Sequence, residues 1–287
     1  MLRLDPSHPP VWRTDSVLQF GAEPVAVLPD PEPWMLRLVS ELERGIPDSA
    51  FTPLAQAMGA PDAAAASRLL AQLRGSLAKD PPPRPRITVR CEDHVPDGQR
   101  DAIAAGVSAS GADVAVAHRF DAVTDSPPGW AVLLVVHRVV PPGSAAALMA
   151  ADRAHVPVAL TGTGAEIGPF VVPGRTACLA CVAAARRDED PSWPVVAAQL
   201  LGRPVEVASA VLWEAGIVAG RLIAERAQSP APPRTRSVAL RGDSLHRTVR
   251  SHRPHADCRC RSLGESATAA APALLETRSA TAFARPA

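Results

Sequence analysis

Apolar residues fall into three successive patterns along the chain. Short β-type runs at residues 11–13, 17–20 and 25–28 are broken by turn formers such as Gly21-Ala22-Glu23-Pro24, which predicts a small meander. Helical spacing follows. Met35, Leu38, Val39 and Leu42 share one face of a helix over 34–42, and Thr52-Pro53 opens a short second helix that buries Leu54 and Met58. Pro61-Asp62 opens a third, with Leu69, Leu70, Leu73 and Leu77 as its buried stripe. A meander beside three helices suits a winged-helix-like domain over residues 1–80. Pro81, Pro82, Pro83 and Pro85 then exclude a continuing helix, so residues 79–86 read as an extended connector and a domain boundary.

The third pattern alternates strand and helix. Residues 87–91 read as a strand, 97–108 as a helix, 113–117 as a strand, and 130–136 as a continuous apolar run suited to a buried parallel strand. A helix over 145–154 and a buried strand over 156–160 extend the alternation, which predicts an open α/β sheet of Rossmann type over 86–263. A turn-rich stretch covers 161–175, with helices near 194–201 and 205–228 after it. Beyond the Pro-rich break at 229–233, residues 237–240 and 244–249 form a C-terminal hairpin around Gly242-Asp243. Residues 264–287 are rich in Ala, Thr and Ser without periodicity and read as a disordered tail.

Composition narrows the function classes. A chain of 287 residues is long enough for two modules. Its 31 prolines and Ala- and Arg-rich stretches carry the stamp of GC-rich coding sequence and say little about function. The formal net charge of +1 supplies no global field for nucleic acid or an anionic membrane. Residues 1–13 contain no continuous apolar core, and residues 205–223 are interrupted by Glu206, Glu214 and Arg221. No secretory signal or membrane span is therefore expected, and the protein should stay in the cytoplasm.

In a reducing compartment, five cysteines are poor material for disulfides, and four stand in two close pairs. Cys178-Leu179-Ala180-Cys181 and Cys258-Arg259-Cys260 offer the four thiolates that close a tetrahedral zinc site with no position left for water, hence a structural Zn2+. The second pair is tighter than the usual spacing, and His255 is an alternative fourth ligand. Cys91 reads as a buried apolar residue. The Asp188-Glu189-Asp190 run reads as a solvated acidic start to a helix, with Trp193 packed beneath. Arg241-Gly242-Asp243 reads as a turn.

A nucleotide-binding sheet of this type has a Gly-rich turn after its first strand. Here that turn is Glu92-Asp93-His94-Val95-Pro96-Asp97, which has no glycine, carboxylates that repel phosphate, and a proline without an amide hydrogen.

From Glu166 onward the chain resembles a known family. The run Ile167-Gly168-Pro169-Phe170-Val171-Val172-Pro173-Gly174-Arg175-Thr176-Ala177-Cys178-Leu179-Ala180-Cys181, the segment Arg186-Arg187-Asp188-Glu189-Asp190-Pro191-Ser192-Trp193-Pro194, and His255-Ala256-Asp257-Cys258-Arg259-Cys260 carry the likeness. They resemble the actinobacterial ThiF/MoeB-like, cyclodehydratase-type proteins of azole-modified peptide biosynthesis. The resemblance implies an N-terminal winged-helix-like module that captures a precursor's leader peptide as an added strand. Carried onto this chain, the groove lies between residues 25–28 and the third helix, with Val25, Val27, Leu69 and Leu73 lining it. Adenylating relatives have a Gly-rich loop, an acidic residue after the second strand and an aspartate ending the third. This chain has residues 92–97, His118 and Arg119, and His137 there, so the site reads as degenerate and ATP is not expected.

The reading that follows is a non-catalytic, zinc-containing scaffold that presents a leader peptide to a YcaO-type cyclodehydratase. A homodimer is expected by the same analogy. The alternatives are an ATP-dependent adenylyltransferase acting on a peptide or small-protein C-terminus, and a winged-helix nucleic-acid-binding regulator. The basic run His246, Arg247, Arg250, His252, Arg253, Arg259 and Arg261 suggests the latter. Against it, the third helix carries only Arg68, Arg74 and Lys79, and the chain has no tyrosine.

Overall fold

The computed structural model describes residues 1–79, 83–117, 126–228 and 235–260. The expected tail, the break at 229–233, His118, Arg119, Arg261 and the start of the proline connector lie outside the described residues. The chain divides into two compact units, residues 1–82 and 83–287.

The first unit packs a three-stranded antiparallel sheet, β1 (Pro10–Thr14), β2 (Val17–Phe20) and β3 (Ala26–Pro29), with α1 (Pro33–Arg44), α2 (Phe51–Ala57) and α3 (Ala63–Leu73). Alternation puts Leu18, Phe20, Ala26 and Leu28 on the inner face, while Val11, Gln19 and Val27 stand in cross-strand register on the other. Pro33 in the first turn starts α1, and its buried stripe is Trp34, Leu38, Val39 and Leu42. The Asp62 carboxylate caps α3 by accepting the Ala65 amide at 2.6 Å. In α2 Phe51 and Ala55 are buried, and the expected Leu54 and Met58, on the same face at helical spacing, are half-buried and pack against the same core. The helix starts at Phe51 rather than at Pro53.

The second unit is a mixed α/β, Rossmann-like layer. Among the described residues its sheet has seven strands in the order β10-β9-β8-β7-β6-β4-β5. Strands β4 (Arg86–Cys91), β5 (Asp113–Val116), β6 (Ala131–His137) and β7 (His155–Thr161) run parallel. Strands β8 (Gly164–Ile167), β9 (Arg236–Arg241) and β10 (Arg247–Ser251) extend the sheet antiparallel. All seven residues of β6 are buried, as a central parallel strand with both faces covered requires. The helices are α4 (Asp97–Ala109), α5 (Pro142–Ala150), α6 (Leu179–Glu189), α7 (Trp193–Leu200) and α8 (Ser209–Gln228). Helices α4 and α8 cross with their backbones almost touching: a Cβ on Gly106 would fall on the Trp213 carbonyl, and one on Gly216 would fall on the Ile103 carbonyl.

Two differences from the sequence expectation have simple causes. Strand β8 lies inside the stretch read as turns, because four residues between Gly162 and Pro169 are too few to show a period. The acidic run closes α6 instead of opening a helix: Asp188 and Glu189 are its last residues and face the wrong end of the helix dipole, where Arg187, His255 and Arg250 neutralise them. Among the described residues no helix is long and apolar enough to cross a membrane.

Candidate metal centre

Cys178 is the residue preceding α6, with extended backbone, and Cys181 follows one turn later on the same helix face. The chain returns past β10 to bring Cys258 and Cys260 against them, through a turn in which the Cys258 amide donates to the His255 carbonyl at 3.0 Å. The four Sγ atoms lie within 4.8 Å of one another and could hold a metal ion. Three separations are 3.6 Å (Cys178 to Cys258), 3.5 Å (Cys181 to Cys260) and 3.8 Å (Cys178 to Cys181). Thiolates about 2.3 Å from a central zinc stand roughly 3.8 Å apart at tetrahedral geometry, whereas a disulfide needs about 2.0 Å. The donor set therefore fits a metal and not a pair of disulfides.

Electrostatics agree with that fit. Burial pushes the Cys178 thiol up to about 11. At Cys181 burial opposes the thiolate, but the backbone amides near His255 and at Cys178, with the neighbouring thiols, hold it below the ordinary thiol range. Four thiols packed this closely cannot all ionise without a cation among them, and a divalent ion supplies that charge. His255 is not free to replace a thiolate: its Nδ1 accepts the Asp257 amide at 3.1 Å and its Nε2 lies 2.8 Å from Asp188. Cys91 is set apart, and burial pushes it up to about 12, which leaves it an inert thiol.

The chain leaves β4 for β5 on one side and reaches β6 on the other, so the crevice at the carboxyl ends of β4 and β6 is the topological switch point, where α/β sheets bind ligands. Here the protein's own side chains hold that position. His137 is fully buried, with its Nε2 2.7 Å from Gln99 Oε1, and the Gln99 amide donates to the Val205 carbonyl at 2.8 Å. The His94 ring stands edge-on to His137, centroids 5.0 Å apart. Ser144 donates to Glu92 at 2.5 Å. At the start of α4, Pro96 offers no amide hydrogen, and Asp97 is paired with Arg100 at 2.7 Å. Burial, His94 and Arg138 lower His137 to about 4, so it is neutral at ordinary pH. The sequence reading had marked His137 and the turn but missed Gln99, whose only signal was an amide three residues beyond Pro96.

Of the residues assigned to a peptide groove, Val25 and Val27 are exposed at 40% and 39%, while Leu69 and Leu73 are buried in the core of the first unit. Any surface beside α3 is thus carried by its other residues, such as Arg68 and Gln72.

The described architecture defines a class: a Rossmann-like α/β unit with an antiparallel extension, preceded by a small mixed module. Solved structures share this fold. A heterocyclase in complex with substrate and cofactor superposes with a TM-score of 0.65 and 13% identity over 90% of this chain, and the heterocyclase TruD with 0.62 and 15% over 90%. The chain covers 39% and 42% of those proteins, about two fifths of their length. MccB from E. coli matches with a TM-score of 0.55 and 10% identity over 91% of this chain and 96% of its own. No protein-family model matches the chain, and no curated protein does.

Proposed function

We propose that this chain is a non-catalytic scaffold of azole-type peptide modification, which binds a precursor's leader peptide and presents it to a partner cyclodehydratase of YcaO type. The observation that carries the reading is the fold shared with two heterocyclases over nine-tenths of the chain. In this reading residues 1–80 are a winged-helix-like module. The exposed row Val11, Gln19 and Val27, with Val25 beside it, offers apolar contacts, and β3 is an edge strand to which an extended peptide can add. The four cysteines hold a structural Zn2+ with no open position for substrate. The non-catalytic role is supported by the switch-point crevice, where Gln99 ties His137 Nε2 to the Val205 carbonyl and Pro96 and Asp97 stand where phosphate would need amides. The chain acts as a homodimer.

The test is fluorescence polarisation with labelled leader peptides of azole-type precursors, on wild type and Val27→Glu. Saturable binding that weakens about tenfold in the variant supports the reading, since a charge then faces the added strand. No binding to any leader, or turnover of ATP by the chain alone, overturns it.

A further inference from the structure

The second unit carries a cleft of about 520 Å³ that the reading above does not use, within the size range of ligand sites. One wall is a single face of α6, formed by Cys181, Val182, Ala185, Arg186 and Glu189. The other is the unbroken run from Arg250 to Ala256. Of that run only Arg250 and Ser251 belong to β10, so the cleft starts at the end of this strand and follows the loop after it, with Glu166 of β8 also lining it. The β10 edge is open. Strand β10 is terminal in the sheet, and the His252 amide donates to the Thr235 carbonyl at 2.7 Å. By antiparallel alternation Val249 and Ser251 turn their amides and carbonyls away from β9, outward.

The charged lining is weighted toward guanidinium. Arg186 lies 4.0 Å over the Trp193 ring and reaches Glu166 only at 3.7 Å, and Arg250 meets Glu189 at 3.3 Å. The Arg250–Glu189 pair is solvent-exposed, and an incoming carboxylate can replace it at small cost. Arg253 is exposed and pairs with no carboxylate among the described residues. The imidazoles are committed, His252 to Ser237 at 2.8 Å and His255 to Asp188 at 2.8 Å. What the cleft offers a ligand is a strand edge flanked by planar forks matched to carboxylates.

We propose that this cleft is a second peptide-docking groove, which takes an extended segment bearing acidic side chains as an added strand along β10, with carboxylates on Arg250 and Arg253. The cysteine cluster fixes its two walls relative to each other, because Cys178 and Cys181 belong to α6 and Cys258 and Cys260 close the opposite run. The groove does not depend on the leader-binding reading of the first unit.

The test uses the full-length, zinc-loaded chain and a fluorescein-labelled decapeptide alternating Glu and Val, followed by anisotropy. The acidic peptide binds, its Lys-for-Glu counterpart does not, and the double variant Arg250→Glu/Arg253→Glu binds about tenfold more weakly or less, a loss typical of reversing charges that steer and hold a partner. Both arginines are exposed, and unchanged zinc content and circular dichroism certify the fold. N-methylation of alternate probe residues weakens binding as strongly, while Val27→Glu leaves it unchanged. The proposal is overturned if the acidic probe fails to bind, or if the arginine variant binds like wild type. It also falls if only Val27→Glu weakens binding. Equal binding of the N-methylated probe with full displacement by inorganic phosphate overturns it too, since that describes a bare anion site.

Discussion

The cysteine cluster and the switch-point crevice are both places where the second unit gathers chemistry-bearing side chains, yet they are built in opposite ways. At the cluster, four sulfurs from segments about 80 residues apart converge to within 4.8 Å of one another. In the crevice the side chains pair in two separate sets: Gln99 joins His137 to the Val205 carbonyl, and Ser144 donates to Glu92. The crevice groups are largely paired with one another, although His137 Nδ1 and His94 Nε2 have no hydrogen-bond partner, whereas four clustered thiolates can share only a cation.

The sharpest way to break the comparison is to take away any metal that the cluster holds. Closing a loop of that length is worth on the order of 4 kcal/mol in chain entropy, so Cys258→Ser or chelation should lower the midpoint of thermal unfolding by about 10 °C. Calorimetry with metal analysis checks it, and a chelated protein that melts unchanged would remove the cluster's structural role. Next comes acid. His137 and His155 are fully buried and lowered to about 4, both chiefly by burial, so each is neutral when folded and takes up a proton near pH 6.5 when unfolded. Their contribution is complete above about pH 6.5 and is lost as pH falls toward 4. Between pH 7 and 5 the pair should cost about 3 kcal/mol. Urea midpoints on metal-free protein isolate this from thiolate protonation, and a flat profile down to pH 5 would contradict the buried, neutral assignment.

Smaller effects sharpen the crevice itself. Gln99→Leu strands the Val205 carbonyl and His137 Nε2 and should destabilise by about 2 kcal/mol, measured by chemical denaturation. Smallest is the response to millimolar Mg-ATP, where no shift in thermal midpoint is expected. A rise of several degrees would mean a ligand bound to the folded state and would return the crevice to the class of working sites.

What could be read beforehand follows the same contrast. The two cysteine pairs were legible because ligand chemistry demands particular residues at short spacing. So were the parallel strands, whose unbroken apolar runs have no other use. The four-residue β8 was not, since it spans too few residues to show a period. Gln99 and the cleft along Arg250–Ala256 were invisible for another reason: both are made by contacts between distant segments, and nothing in either segment alone calls for the other.

The close crossing of α4 and α8 bears on how descendants of this sequence would look. Gly106 and Gly216 admit no side chain, because each faces backbone of the opposing helix. In any set of relatives that keep this crossing, those positions would stay glycine. A reader hunting for the invariant glycines of a nucleotide-binding turn would find them, and would be looking at a seam between two helices and not at a turn after a strand.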